Sequence, residues 1–272
     1  MHLHHAPVAV ICAALSVEYV AVRRHLDEPV TQRLEERDVQ GTLCELGTFT
    51  GQAGTWSVVL AQTGVGDTSA AIVLERAISA FAPRVALFVG VAGGIKDVAL
   101  GDVVVPEMIY EYDSGKVTGE GFEARVRTHK ASYRLVQRAR AVAMYGHWQR
   151  RIHHATDDGR SPAAVVQPLA AGSIVVADPR SSIARHIYRH CGDAVAVEME
   201  GHGFLHCAHY NDRVDALVVR GISDLLDKTE AADKYWQPIA AEHAAAFAFE
   251  TLACHTLSPD AWRQANPSGA FG

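Results

Sequence analysis

The residues Pro7-Val8-Ala9-Val10-Ile11-Cys12-Ala13-Ala14 form a continuous apolar run near the start of the chain. Such a run is typical of a strand that is buried on both faces of a parallel sheet. Similar runs recur at residues 55–62, 84–91, 101–106, 173–177, 194–198 and 214–220. Helical patterns separate most of them, at residues 67–82, 131–145, 180–191, 200–210 and 239–255. This alternation predicts an α/β fold with a central mixed sheet flanked by helices.

One domain accounts for most of the chain. A length of 272 residues suits a single α/β domain, which we place at residues 1–256. Within it, residues 112–165 are rich in charged and turn-forming residues and predict an excursion from the sheet. Residues 257–272 contain Pro259 and Pro267 without periodicity, so we predict a loosely ordered tail there.

The composition narrows the class of ligand. The formal net charge is -6 with 25 Lys and Arg residues, whereas nucleic-acid binding needs clustered cations. No apolar run approaches the roughly 20 residues of a membrane-spanning helix, and the N-terminus does not resemble a secretory signal. The five cysteines include no C-x-x-C pair, so we expect neither disulfides nor a cysteine metal site. These features predict a cytoplasmic protein that binds a small molecule, and neither nucleic acid nor membrane.

Polar residues appear where four of the predicted strands stop. Ligands bind beyond the carboxyl ends of the strands in open α/β sheets, so these residues are candidates for a site. They are Glu18, Gly90-Val91-Ala92-Gly93-Gly94, Glu198-Met199-Glu200 and Arg220-Gly221-Ile222-Ser223-Asp224. A single acid in such a place is ordinarily a helix cap or a solvated turn residue. Carboxylates at three of the four strand ends favour a functional site.

The order and spacing of these motifs carry a family resemblance. The motifs are Ile11-Cys12-Ala13-Ala14-Leu15-Ser16-Val17-Glu18, Thr63-Gly64-Val65-Gly66, Gly90-Val91-Ala92-Gly93-Gly94-Ile95 with Gly101-Asp102-Val103-Val104-Val105, Ala196-Val197-Glu198-Met199-Glu200-Gly201, and Val218-Val219-Arg220-Gly221-Ile222-Ser223-Asp224. Over about residues 7–255 the chain resembles the purine nucleoside phosphorylase superfamily, and within it the methylthioadenosine/S-adenosylhomocysteine nucleosidases. The resemblance implies a three-layer fold, a homodimer, no cofactor and no metal. It also implies hydrolysis of the N-glycosidic bond of an adenine nucleoside or nucleotide, with release of adenine.

The resemblance implies three catalytic residues, Asp224, Glu18 and Arg220. Asp224 would protonate N7 of adenine so that the base departs neutral, with Ser223 as a supporting neighbour. Glu18 would activate water, which Arg220 would help to position below C1′. Glu18 favours hydrolysis, because the phosphorylases of the superfamily place basic residues at the anion site. The alternative is that Glu18 is a solvent-facing acid in the first turn of a helix.

A further set of residues is implied to bind the substrate. Glu200 would accept hydrogen bonds from the ribose hydroxyls, and Met199 would pack on the sugar. Val197 and the backbone near Val175 and Val176 would flank the purine. The full substrate-binding set is Glu200, Met199, Glu198, Val197, Ser223, Ala92, Gly93, Val91, Val175, Val176 and Tyr235.

The sequence departs from this superfamily at two places. Nucleosidases of this kind usually have Ser or Thr where this chain has Val91, which removes a polar contact. Val175 and Val176 stand where an aromatic residue over the base is usual. Adenine is therefore inferred mainly from Asp224.

The group at the 5′ end of the sugar stays open. That end of the pocket would be built by Leu15, the 112–165 excursion and the pair Tyr235 and Trp236, and this pair suits an apolar methylthio group. The cations Lys116, Arg125, Arg127 and Lys130 either receive phosphates or form a solvated face. The 112–165 segment also looks like nucleosidase domains of multidomain immune proteins, some of which cleave adenine nucleotides such as ATP. A phosphate-dependent phosphorylase and a non-catalytic nucleotide-sensing module are also compatible with the sequence.

Three histidines share one face of the helix that follows Glu200. His202, His206 and His209 lie at positions i, i+4 and i+7, a spacing that suits zinc. The H-E-x-x-H pattern is absent and the resemblance implies no metal. We therefore predict buried or partner-facing histidines.

Overall fold

A mixed β-sheet forms the centre of the computed structural model, which describes residues 6–153, 159–226 and 230–256. Twelve strands of the described residues belong to this sheet, and two more form a separate hairpin. The strands are β1 (Val8–Ala13), β2 (Glu35–Val39), β3 (Thr42–Gly51), β4 (Gly54–Gln62), β5 (Val85–Gly94), β6 (Val103–Val105), β7 (Met108–Glu111), β8 (Gly115–Thr118), β9 (Gly121–Ala124), β10 (Arg127–Lys130), β11 (Ala164–Val166), β12 (Leu169–Ala171), β13 (Ala196–Glu198) and β14 (Asp215–Asp224).

Helices cover the sheet. They are α1 (Ser16–Arg23), α2 (Asp67–Phe81), α3 (Tyr133–Tyr145), α4 (Ser182–His190), α5 (Gly201–His209) and α6 (Glu230–Ala253), with a 3₁₀ turn at His147–Arg151. Helix α6 packs along β14 and β5 and also contacts α1, whereas α2 and α5 pack on each other. None of the described helices has the length and apolar character needed to cross a membrane.

The pairing of the long strands brings the predicted motifs to one edge of the sheet. Strand β1 lies between β4 and β5, parallel to both, and β14 pairs in parallel with the other side of β5. The carboxyl ends of β1, β5 and β14 therefore meet. Strand β13 runs antiparallel to the end of β5, with Val197 opposite Gly93. This register places Glu198-Met199-Glu200 beside the same edge.

The buried strands confirm the predicted fold class. Residues 9–13 of β1 and residues 85–89 of β5 are fully buried, as their continuous apolar runs predict for strands covered on both faces. The predicted α/β architecture with a central mixed sheet flanked by helices is confirmed. Helix α6 begins at Glu230, earlier than the predicted start at residue 239.

The strand predicted at residues 173–177 is wrong. These residues form a loop, and the strand of this region is β12, which ends at Ala171. The run is apolar because Ile174, Val175 and Val176 line a pocket, not because they pair in the sheet. Val175 is 58% exposed, unlike the residues of a core strand.

The predicted excursion over residues 112–165 is correct only in part. The hairpin of β8 and β9 stands apart from the main sheet, whereas β10 pairs with β7 and β11 pairs with β6 inside it. Strand β10 is polar because it lies at the outer edge of the sheet, where charged side chains are common. The predicted tail at residues 257–272 lies outside the described residues.

Candidate active site

A pocket opens where β1, β5, β13 and β14 end. Its lining residues are Ala14, Leu15, Glu18, Val65, Val91, Ala92, Gly93, Ile174, Val175, Val176, Val197, Glu198, Met199, Glu200, Ser223 and Gln237.

Glu18 lies in the first turn of α1 with its carboxylate turned into the protein. It is only 2% exposed. Its Oε2 accepts hydrogen bonds from the backbone N–H groups of Ala14 and Leu15, both at 2.8 Å, and its Oε1 accepts one from Val91 at 2.8 Å. Burial raises the pKa of Glu18, against the lowering effects of Arg220 and of the three amides. Glu18 is therefore a buried, oriented carboxyl group and not a solvent-facing helix acid.

Arg220 is the buried cation behind the pocket. It is fully buried on β14 and stacks on Phe88 at 4.5 Å. Its Nη2 donates to Glu198 and to Glu200, the latter at 3.1 Å. Its Nε and Nη1 have no hydrogen-bond partner among the described residues, so both retain the capacity to donate.

Gly90 creates the space in which Arg220 and Glu18 approach each other. A Cβ atom at Gly90 would overlap with Arg220 Nη1 and would lie 2.5 Å from Glu18 Oε1. The free Nη1 and the Glu18 carboxylate therefore face the same small volume. A guanidinium donor and a carboxylate acceptor in this arrangement can orient a water molecule between them.

Glu198 and Glu200 differ in how their oxygens are used. Both oxygens of Glu198 accept from the backbone of Gly201, at 2.9 and 2.8 Å, and Oε2 also accepts from Glu200 N and from Arg220. Glu200 Oε1 accepts from Gly66 N at 3.1 Å. Burial raises the pKa of Glu200 to about 7, with Arg220 opposing the shift and Glu198 adding to it. Glu198 thus holds the turn in place, and Glu200 remains the better acceptor for a ligand.

Asp224 is the last residue of β14 and lies next to Gly93 of the neighbouring strand β5. The register between β14 and β5 shifts between Ile222 and Asp224, which turns the carboxylate toward Gly93. A Cβ atom at Gly93 would lie 2.9 Å from Asp224 Oδ1. Ser223 Oγ donates to Asp224 Oδ2 at 3.2 Å, and Leu226 N donates to Oδ1 at 3.1 Å. The acid is 3% exposed, so it is shielded from bulk water.

With this geometry in place, similarity to known proteins identifies the family. Residues 7–253 match the phosphorylase superfamily. The chain belongs to this superfamily.

Curated relatives share the sequence at a moderate level. The chain is 26% identical over 265 residues to ATP nucleosidase Cap17 of Escherichia coli (strain KTE188), covering 89% of this chain and 50% of the relative. It is 26% identical over 245 residues to a death domain-containing ATP nucleosidase of Amphimedon queenslandica, covering 82% of this chain and 45% of the relative. The chain thus spans about half the length of the curated relatives it matches.

Solved structures share the fold. One is 5′-methylthioadenosine/S-adenosylhomocysteine nucleosidase from Neisseria meningitidis in complex with methylthio-immucillin-A, with a TM-score of 0.73, 20% identity and coverage of 90% of this chain and 98% of that chain. Another is futalosine hydrolase of Helicobacter pylori, with a TM-score of 0.72, 20% identity and coverage of 91% and 97%. At this identity the likeness establishes the phosphorylase-superfamily fold alone.

The pocket gathers nearly all of the predicted site residues. Those that line it are Glu18, Val91, Ala92, Gly93, Val175, Val176, Val197, Glu198, Met199, Glu200 and Ser223. Arg220 and Asp224 lie directly behind this lining. Tyr235 lies outside the lining, 46% exposed and packed against Trp236 at 5.3 Å.

Sequence reasoning missed four lining residues. Ala14 and Val65 lie inside two of the quoted motifs, and Ile174 directly precedes Val175, but none of the three was predicted as a site residue. Gln237 comes from α6, and no motif in the sequence marks it. The cations Lys116, Arg125, Arg127 and Lys130 are not among the lining residues.

Proposed function

We propose that this chain hydrolyses the N-glycosidic bond of an adenine nucleoside or nucleotide and releases adenine. The observation that carries the proposal is the pairing of buried Glu18 with the unpartnered Nη1 of Arg220 across Gly90. This pair forms a place for a nucleophilic water molecule. Glu200 and Asp224 lie on the other sides of the same pocket, where a ribose and its base would fit.

In this proposal three carboxyl groups have separate roles, one at the base, one at the ribose and one at the attacking water. Asp224 gives a proton to N7, so the adenine leaves as a neutral molecule. Glu200 accepts hydrogen bonds from ribose hydroxyls, and these bonds strengthen as the sugar becomes oxocarbenium-like. Glu18 removes a proton from the water that attacks C1′. The reaction consumes one water and yields adenine and the free sugar.

The charges of the pocket support hydrolysis over phosphorolysis. Among the described lining residues there is no Lys or Arg. Arg220, behind the lining, is already matched by Glu198 and Glu200 and lies beside Glu18. Orthophosphate would meet more negative than positive charge there, which opposes anion binding.

The decisive experiment measures adenine release with and without orthophosphate. We expect full release and a free reducing sugar in phosphate-free buffer, and loss of release in Glu18→Gln. Glu120→Gln, at an exposed turn residue, is the matched control and should keep full activity. Strict dependence on phosphate would refute the hydrolase proposal.

A second candidate, favoured by the names of the curated relatives, is an ATP nucleosidase. The described lining residues around Leu15 and Ile174 are apolar and supply no cation for a 5′ phosphate. They suit a methylthio group better. Rates with methylthioadenosine, S-adenosylhomocysteine, AMP and ATP, with adenine as the common product, decide between the two.

The surroundings in which the enzyme works are part of the proposal. We propose a cytoplasmic, reducing compartment because all five cysteines are free thiols. We also propose a homodimer, on the basis of the family resemblance. Light scattering on the purified protein tests the dimer directly.

A further inference from the structure

Three histidines from two elements meet outside the active-site pocket. His129 on β10 and His202 and His206 on α5 place ligand atoms within 4.8 Å of one another. His129 Nε2 and His206 Nδ1 are 2.6 Å apart. His202 and His206 are one helical turn apart, so both side chains leave α5 on the same face.

His202 carries a buried nitrogen without a partner. The residue is 5% exposed, and its Nε2 has no hydrogen-bond partner among the described residues. A buried polar atom that is left unpaired costs free energy, so such an atom requires an explanation. A metal ion would accept its lone pair.

The other nitrogen of His202 faces an acid. His202 Nδ1 lies 3.9 Å from Asp67 Oδ2, and Asp67 Oδ1 is held by the backbone N–H of Gly203 at 2.7 Å. Metal-binding imidazoles generally have a carboxylate or carbonyl at the nitrogen that does not bind the metal, which fixes the ring orientation. Asp67 lies on that side of the ring, at an ion-pair distance and not at a hydrogen-bond distance.

A second acid supplies negative charge. Glu111 on β7, the strand beside β10, has a buried Oε2 atom without a hydrogen-bond partner among the described residues. The ion-pair neighbour of this oxygen is Arg127 Nε, at 3.8 Å. Glu111 therefore places negative charge on the strand that neighbours His129.

We propose that His129, His202 and His206 form a binding site for a divalent transition-metal ion of the zinc class. Three imidazoles suit Zn²⁺, and a water would complete a tetrahedral set. The His129 and His206 nitrogens would separate to about 3.3 Å, the spacing that tetrahedral Zn–N bonds of about 2.0–2.1 Å require. The helix pattern alone did not reveal this site because His129 comes from a strand.

The position of the site suggests a structural role. Helix α5 begins at Gly201, directly after Glu200, and it packs beside β10, the strand that carries His129. A metal ion would tie this helix to β10, at the edge of the sheet. The ion lies outside the pocket, so it does not take part in the proposed hydrolysis.

The test is a metal titration of the full chain with His2, His4 and His5 changed to Ala, which removes the terminal histidines as competing ligands. After treatment with EDTA, we expect one Zn²⁺ per chain by calorimetry and the visible absorption of tetrahedral Co²⁺. His206→Gln in this background should weaken binding by more than the roughly 10–100-fold that loss of a supporting partner costs. His147→Gln, at an exposed histidine, is the matched control and should bind as the parent does.

Two results would overturn the proposal: no binding by the parent, or equal binding by His206→Gln. Circular dichroism and Tm in EDTA show whether each variant is folded. If His206→Gln is unfolded, His129→Gln on the edge strand replaces it, with the same expected loss. The assay reads metal directly, so its outcome is independent of the adenine-release activity.

Discussion

The part of the pocket around Arg220 is built from charges and backbone amides, whereas the part in front of Asp224 is built from small and apolar residues. The first, the charged half, consists of Arg220 with Glu18, Glu198 and Glu200. The second, the apolar half, consists of Ala92, Gly93, Val175, Val176 and Val197.

The two halves differ in the contacts that position their side chains. In the charged half, each carboxylate accepts at least one backbone hydrogen bond from a strand end or helix start. In the apolar half, Ala92, Gly93 and Val197 belong to strands, whereas Val175 belongs to a loop and is 58% exposed. This difference teaches that hydrogen bonds orient every carboxylate of the charged half, while a loop supplies part of the surface that would face the base in the proposed function.

The largest expected effect comes from removing the acid behind the apolar half. Asp224→Asn keeps the size of the side chain but cannot give a proton to the base. We expect adenine release to fall by about 10²–10⁴-fold, the usual contribution of a general acid. Binding of an adenosine analogue, measured by calorimetry, should change little. Unchanged adenine release would remove Asp224 from the proposed mechanism.

A smaller effect is expected from Gly90→Ala, which fills the space inside the charged half. The added Cβ would push Arg220 and Glu18 apart, and displacement of a catalytic group by about 1 Å can cost about 10²-fold. Overpacking should also destabilise the fold by about 1–3 kcal/mol. Activity and Tm are measured together.

Gly119→Ala is the matched control for that substitution. A Cβ at Gly119, in the turn between β8 and β9, meets no atom within 4 Å. Its activity and Tm should equal those of the unmodified protein. A Gly90→Ala variant that behaves like Gly119→Ala would show that the charged half is not tightly packed.

The charged half was largely predictable from sequence, and the physical reason is local. Glu18 comes shortly after the apolar run of β1, and Glu200 comes shortly after the apolar run of β13. Their position at the sheet edge therefore follows from the strand pattern. The contacts that hold them were not predictable. Gly66 and Val91 supply backbone amides from distant parts of the chain, and only the register of the sheet brings these amides to the acids.

The apolar half was harder to predict. Residues 173–177 have the composition of a strand but form a loop, because an apolar run does not reveal whether it faces a core or a ligand. Gln237 lines the pocket from α6 without any motif. Tyr235 was predicted to bind the substrate because of its aromatic ring. It lies two residues before Gln237 on α6 and is outside the lining.

A pH profile sharpens the comparison, because burial raises the pKa of Glu200 to about 7. Ribose binding requires its ionised form, so kcat/KM should rise about tenfold per pH unit as Glu200 ionises below pH 7. The effect of pH on the free energy of unfolding has the opposite sign. Because the pKa of Glu200 is raised in the folded state, the protonated residue stabilises the fold. This stabilisation is fully present below about pH 4.5 and is lost as the pH rises through about 7.

Glu200→Gln provides the reference for that profile. The variant should have lower kcat/KM than the unmodified protein at and above pH 7, where Glu200 is ionised, and should lack the rise near pH 7. Initial rates of adenine release across the pH range measure both curves. If the midpoint near 7 persists in Glu200→Gln, another group of the charged half controls the profile.

The smallest effect is expected from Tyr235→Ala, on the same helix as the lining residue Gln237. Tyr235 is 46% exposed and packs on Trp236 instead of lining the pocket, so its removal leaves the bond-cleaving groups in place. We expect kcat to change by less than about threefold, equivalent to about 0.6 kcal/mol. Steady-state kinetics with methylthioadenosine and ATP measure this change. An equal and large loss of kcat with both substrates would mean that Tyr235 acts on the reacting bond, and the division of the site into a charged half and an apolar half would then be incomplete.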